Sequence, residues 1–153
     1  MKRWLKITLL SLLIVAMQPV HAMAATEKTE AESTIYLKDG SYITIELSCV
    51  ETRASGTKTA SKTYTYRGND GAEAWRAVLE GTFTYNGTTA TCTASSCDVT
   101  ITDTAWHIIS KTANKSGSSA VGELTMGRKW LGITINKETV NMRITCDANG
   151  NLS

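Results

Sequence analysis

The chain has 153 residues, 16 basic and 14 acidic side chains and a formal net charge of +2. That length suits one domain with a core of its own. The near-neutral balance excludes the electrostatic footprint of a nucleic-acid binder.

The first element is a leader. Lys2, Arg3 and Lys6 precede an apolar run from Ile7 to Met17, and small residues follow around Ala22 and Ala24. This three-part layout is that of a secretory signal peptide over residues 1–24. The apolar run, about 11 residues, is shorter than a bilayer span. The expected localisation is therefore secreted, with no stable membrane insertion after cleavage. Cleavage would remove three basic side chains and no acidic ones, leaving thirteen against fourteen. Residues 25–33 are polar and charged and read as a flexible mature N-terminus. Residues 34–153 read as a single domain, without repeat or interior linker.

From Ser33 onward the hydrophobic period is two. Ile35 and Leu37 share a face, as do Ile43, Ile45, Leu47 and Cys49. A three-residue loop Asp39-Gly40-Ser41 keeps both sets on one side, pairing Leu37 with Ile43 and Ile35 with Ile45. Asp70-Gly71 marks the next hairpin and pairs Tyr66 with Trp75 and Tyr64 with Ala77. Trp75, Ala77, Leu79, Gly81, Phe83 and Tyr85 then line one face of a long strand, with Gly81 the natural place for a bend or bulge. Asn86-Gly87 predicts a two-residue turn pairing Phe83 with Ala90 and Gly81 with Cys92.

Beyond "TASS" a strand carries Cys97, Val99 and Ile101 on one face. Further strands follow at Trp106–Ser110, after the turn "NKSG" near Ala120–Met126, after the basic connection "GRKW", and through Val140, Met142, Ile144 and Cys146. About eight short alternating strands point to an all-β fold. The expectation is an immunoglobulin-like two-sheet β-sandwich of antiparallel strands.

Trp75, Phe83, Tyr85, Gly87, Cys92, Trp106, Lys115-Ser116-Gly117, Leu131-Gly132, Cys146, Gly150 and Ser153 carry a resemblance. They match a pattern of a Trp strand, F-x-Y-x-G, T-C-T, a later Trp, a K-S-G turn, L-G-[IV] and a terminal T-C-x-x-x-G-x-[LV]-S. In these motifs, from about Ser61 to the end, the chain resembles a group of small secreted cysteine-containing β-sandwich proteins of Gram-positive, gut-type bacteria. The resemblance implies secretion and the fold, and it carries no activity. It also implies that Cys92 and Cys146 are the recurring cysteines and that Cys49 and Cys97 form an optional second pair.

Four cysteines in an exported chain favour disulfides. The Cys92-x₄-Cys97 spacing is not that of a redox or zinc motif. Cys92–Cys146 with Cys49–Cys97 is the favoured connectivity, and Cys92–Cys97 with Cys49–Cys146 is the rival. A bridge closing such a loop is worth about 2–4 kcal/mol.

His107 is the one histidine beyond the leader and reads as a surface strand residue, so no catalytic triad or multi-histidine metal site is expected. Glu80, Asp98, Asp103, Glu123 and Glu138 read as outward carboxylates of the kind a hydrolase would need in a facing pair. The segment "DANGN" lacks the glycine and distal glutamate of a calcium loop and reads as a turn. No cofactor and no metal are expected. Trp75, Phe83 and Trp106 read as core. Tyr36 and Tyr42, opposite the Ile35 face, and Trp130 in the basic connection are the candidate binding surface.

These features predict a non-catalytic binding or adhesion module at the cell surface or in the medium, with a surface glycan, wall polymer or protein as partner. The alternatives are a secreted antibacterial or membrane-active effector, for which the basic or amphipathic face it requires is missing from the sequence, and a small extracellular hydrolase.

Overall fold

The computed structural model describes residues 27–51 and 56–153. The expected signal peptide lies outside the described residues. Among the described residues there are eight strands and no helix: β1 (Glu27–Tyr36), β2 (Tyr42–Glu51), β3 (Thr57–Arg67), β4 (Glu73–Tyr85), β5 (Ala90–Ile101), β6 (Trp106–Ser116), β7 (Ser119–Trp130) and β8 (Ile133–Thr145). They form a five-stranded sheet, β1-β2-β3-β4-β5, and a three-stranded sheet, β6-β7-β8, with antiparallel pairing throughout. Each strand pairs with its chain neighbour, and the chain changes sheet once, between β5 and β6. This is a meander. It differs from the Greek-key order that an immunoglobulin-like sandwich would carry. β1 starts at Glu27, and so takes in most of the segment read as a polar N-terminus.

The sheets meet where β4 faces β7. A Cβ added at Gly81 would lie 2.8 Å from the Ala120 Cβ and 2.6 Å from the Phe83 ring. One added at Gly122 would meet the tip of Leu79 at 3.2 Å and that of Met142 at 3.1 Å. Leu79 and Phe83 thus straddle the close approach at Gly81, and Leu79 fills the space over Gly122. Around them Trp75, Ala77, Leu124, Met126 and Ile144 are fully buried.

β8, the outer strand of the smaller sheet, lies over β3. Lys62 Nζ donates to the Arg143 carbonyl at 3.2 Å, and the Tyr64 phenol is hydrogen-bonded to the Arg143 backbone. Two side chains of β3 therefore occupy part of an edge that would otherwise offer free backbone groups. Burial pushes the Tyr64 phenol above its ordinary value and the Lys62 ammonium below its own.

The registers depart from expectation in informative places. Ile35 pairs with Ile43 and Tyr36 with Tyr42, so the first loop is Lys38-Asp39-Gly40. It slides by one residue because the left-handed position closing such a loop falls on Gly40, with φ 85°. Tyr66 pairs with Trp75 and Tyr64 with Ala77, as expected.

Asn86-Gly87 is not a two-residue turn. Tyr85 pairs with Ala90, and Asn86 Oδ1 accepts the amides of Thr88 and Thr89 inside a longer loop. Nor does a separate strand begin beyond "TASS". β5 runs straight through it with a bulge at Thr93, since Phe83 pairs with Cys92 and Thr82 with Ala94. The extra residue reverses the alternation, which is why Cys92 and Cys97 both face inward. "GRKW" likewise belongs to β7, and the last two expected strands are one strand, β8.

Among the described residues no disulfide is present. The register explains why neither expected connectivity forms in full. Cys49 on β2 and Cys97 on β5 are separated by β3 and β4, and three inter-strand steps span about 14 Å. Cys92 and Cys97 lie on one strand, about 16 Å apart along it. A disulfide requires Cα atoms within about 7 Å. Cys92 and Cys146 are different: their amides donate to the adjacent carbonyls Gly117 and Ser118 of the β6–β7 turn, at 2.9 and 3.0 Å.

Gly81→Ala should destabilise the fold by about 1–3 kcal/mol, read as a lower denaturant midpoint with an unchanged slope. Non-reducing mass spectrometry of the folded protein should find Cys97 linked neither to Cys49 nor to Cys92; either linkage would contradict the strand order.

Candidate functional site

Alternation of strand direction puts the β1–β2, β3–β4 and β5–β6 connections and the β7–β8 turn at one end of the sandwich. A cleft of about 420 Å³ opens there, lined by Asp39, Ser41, Tyr66, the β3–β4 loop, the start of β4 at Glu73 and Ala74, Asp103, Trp106 and Arg128. Its floor is aromatic. Tyr66 stacks on Trp75 with ring centroids 5.2 Å apart, and Trp106 tilts onto Tyr66 at 4.9 Å.

The cleft acids build its walls. Asp39 Oδ1 accepts the Ser41 amide at 3.1 Å and the Ser41 hydroxyl as well. Asp70 Oδ1 accepts the Ala72 amide at 3.0 Å, and Asp103 Oδ1 the Ala105 amide at 2.9 Å. Each aspartate closes its own turn, the ordinary use of Asp in loops. The Ser41 hydroxyl is the main reason that the Asp39 carboxyl is held below the usual range. Glu73 lies between Arg67 at 3.8 Å and Arg76 at 3.7 Å. Burial pushes the Tyr66 phenol up, while its hydrogen bond to Ser41 opposes that shift.

The remaining carboxylates scatter. Glu80 and Asp98 are exposed on the outer face of the five-stranded sheet, and Glu123 is exposed on the other sheet. Glu138, expected to point outward, shares the inner face of Val140 and lies near Tyr66. Its Oε1 accepts a bond from Asn136 at 3.2 Å. His107 faces away from the cleft that Trp106 enters and lies against Gly127, with Nδ1 buried and unbonded. At the far end, Asp147 accepts the amides of Asn149 and Asn151 and the Asn151 side chain, so "DANGN" is a self-capped turn.

Trp75, Phe83 and Trp106 are core, as expected. Tyr36 and Tyr42 come together as a cross-strand pair with centroids 5.8 Å apart, Tyr36 being 77 % exposed. Trp130 does not join them. It caps the β7–β8 hairpin, which overruns β6: Trp106, the first residue of β6, pairs with Arg128, and Lys129 to Ile135 extend past it. Trp130 is 66 % exposed, Leu131 81 %, Ile133 69 % and Ile135 58 %.

Leu131 and Gly132 form a two-residue turn with φ 50° and 79°. Both left-handed values are those of a type I′ turn, whose first position favours Asn, Asp or Gly. Leucine there costs about 1–2 kcal/mol of backbone energy and sets an aliphatic side chain in solvent. Leu131, Ile133 and Ile135 were not among the residues expected to bind. The x-Gly signal of a tight hairpin was present in "WLGI", but leucine in the asparagine position concealed it.

No family model, curated protein or solved structure matches the chain.

Leu131→Asn, which fits the turn without strain, should raise stability by about 1 kcal/mol, seen as a higher Tm. A lower Tm would show that the leucine packs against something the turn geometry does not require.

Proposed function

We propose that this protein is a secreted, non-catalytic β-sandwich that binds a component of the cell surface or surrounding medium through its β7–β8 hairpin. The observation that carries this reading is the exposed tip of Trp130, Leu131 and Ile133, held in a turn that costs backbone energy. A domain that keeps such a feature in solvent has a use for the side chains in contact with a partner. The leader of basic, apolar and small residues supports export. In an oxidising compartment, Cys92 and Cys146, anchored to neighbouring carbonyls of one turn, would be the pair to provide a staple.

A second reading, a membrane-active effector, has a specific observation in its favour. It calls for a basic or amphipathic face, and the hairpin carries Arg128, Lys129 and Lys137 beside its apolar tip. A hydrolase has less support, because the cleft aspartates are engaged in their own turns.

Capture from cell-wall preparations, mucus and glycan arrays tests the proposal. Trp130→Ala should weaken retention of the captured component at least about tenfold, as for an interface anchor, with the Tm unchanged. Equal retention by both proteins would place the binding surface elsewhere.

A further inference from the structure

We infer that the β7–β8 hairpin is an anchor for an anionic lipid surface. This rests on the reading of the hairpin as the binding element and names its partner.

The apex is aliphatic and indole. Trp130 and Ile133 pair across the hairpin, Leu131 stands at its turn, and Ile135 follows at a bulge. Behind them lie Lys129 and Lys137, with Arg128 shared with the cleft and its Asp39, and no carboxylate occurs in the sequence from Leu124 to Lys137. Apolar residues at a tip with cations behind them match the order of layers met on entering an anionic bilayer: acyl chains take Leu and Ile, the interface takes Trp, and headgroups take Lys and Arg.

Other occupants fit less well. A stable protein interface takes about 800 Å² and roughly twenty residues from each partner, whereas the exposed apolar tip consists of Trp130, Leu131, Ile133 and Ile135. A sugar chain calls for polar hydrogen-bonding groups beside an aromatic platform, whereas the neighbours of Trp130 at the apex are Leu131, Gly132 and Ile133. A fluid lipid surface needs no complementary shape, only apolar depth and opposite charge.

The test uses the purified chain of residues 25–153, the form left after leader cleavage, with vesicles of phosphatidylcholine alone or mixed with phosphatidylglycerol. Tryptophan emission and its quenching by brominated acyl chains are recorded. Trp75 and Trp106 are buried, and Trp130→Phe identifies the signal of Trp130. Trp4 and the apolar run Ile7–Met17 are absent from this form, so no leader tryptophan contributes.

The expected result is a blue shift and quenching of Trp130 on the phosphatidylglycerol vesicles, weak or absent on phosphatidylcholine alone. Lys129→Gln and Lys137→Gln should each weaken partitioning about fivefold. Leu131→Asn should weaken it at least about tenfold while leaving the Tm equal or higher, which separates lipid contact from loss of fold. Unchanged Trp130 emission with capture from wall or mucus preparations intact would overturn the lipid assignment and leave the binding role standing. Loss of both would end both. A concentration-dependent blue shift without vesicles, with a dimer in sedimentation, would assign the tip to a second copy of the chain.

Discussion

Leu79, Gly81 and Phe83 on one strand, and Ala120, Gly122 and Leu124 on another, form the contact on which the rest of the structure depends. Each triplet has a glycine at its centre: Gly81 lies against the Ala120 methyl of the opposite sheet and under the Phe83 ring of its own strand, and Gly122 lies against Leu79 from the opposite sheet. Sheets usually pack about 10 Å apart with side chains filling the gap. Here the missing Cβ atoms let large residues interlock, and the interlock sets both the distance between the sheets and their lateral offset.

That offset decides what is covered. With β4 over β7, β8 falls over β3, where Lys62 and Tyr64 can reach the backbone of Arg143. Beyond β3 no backbone of the smaller sheet comes close to β1 or β2, although Ile43, Leu47 and Cys49 of β2 are buried in the common core. At the turn-bearing end the relation reverses. β7 and β8 continue past the start of β6, so the apolar pattern of the hairpin runs on without a strand to cover it. Trp130 and Ile133 are exposed for that reason.

The distribution of charge follows the same geometry. Acids gather in the turns of the cleft, where Asp39, Asp70 and Asp103 satisfy local amides. Bases gather on the projecting hairpin, where no turn requires a carboxylate. A net charge near zero therefore conceals two neighbouring regions of opposite sign. This is why a basic, amphipathic face was not expected from the composition, although its residues stand within eleven positions of one another, from Gly127 to Lys137.

Much of the fold was legible from alternation alone. The period of two, the facing of Tyr66 and Trp75, the inward set from Trp75 to Phe83 and the outward placing of Tyr36 and Tyr42 all follow from strand geometry between residues close in the chain. The registers at Asp39-Gly40 and Asn86-Gly87 were less legible, because a side-chain cap or a single left-handed residue moves a loop by one or two positions and leaves the facing intact. The bulge at Thr93 left no mark in composition, yet it decides that two cysteines five positions apart face the same way. What the sequence determined by itself was the alternation, since facing along a strand is a property of the local backbone. Which strands overlap, which thiols lie within reach of each other and which apolar tip stands uncovered were decided only by tertiary structure. Those features depend on the close packing of β4 against β7, whose contacting residues are some forty positions apart in the chain.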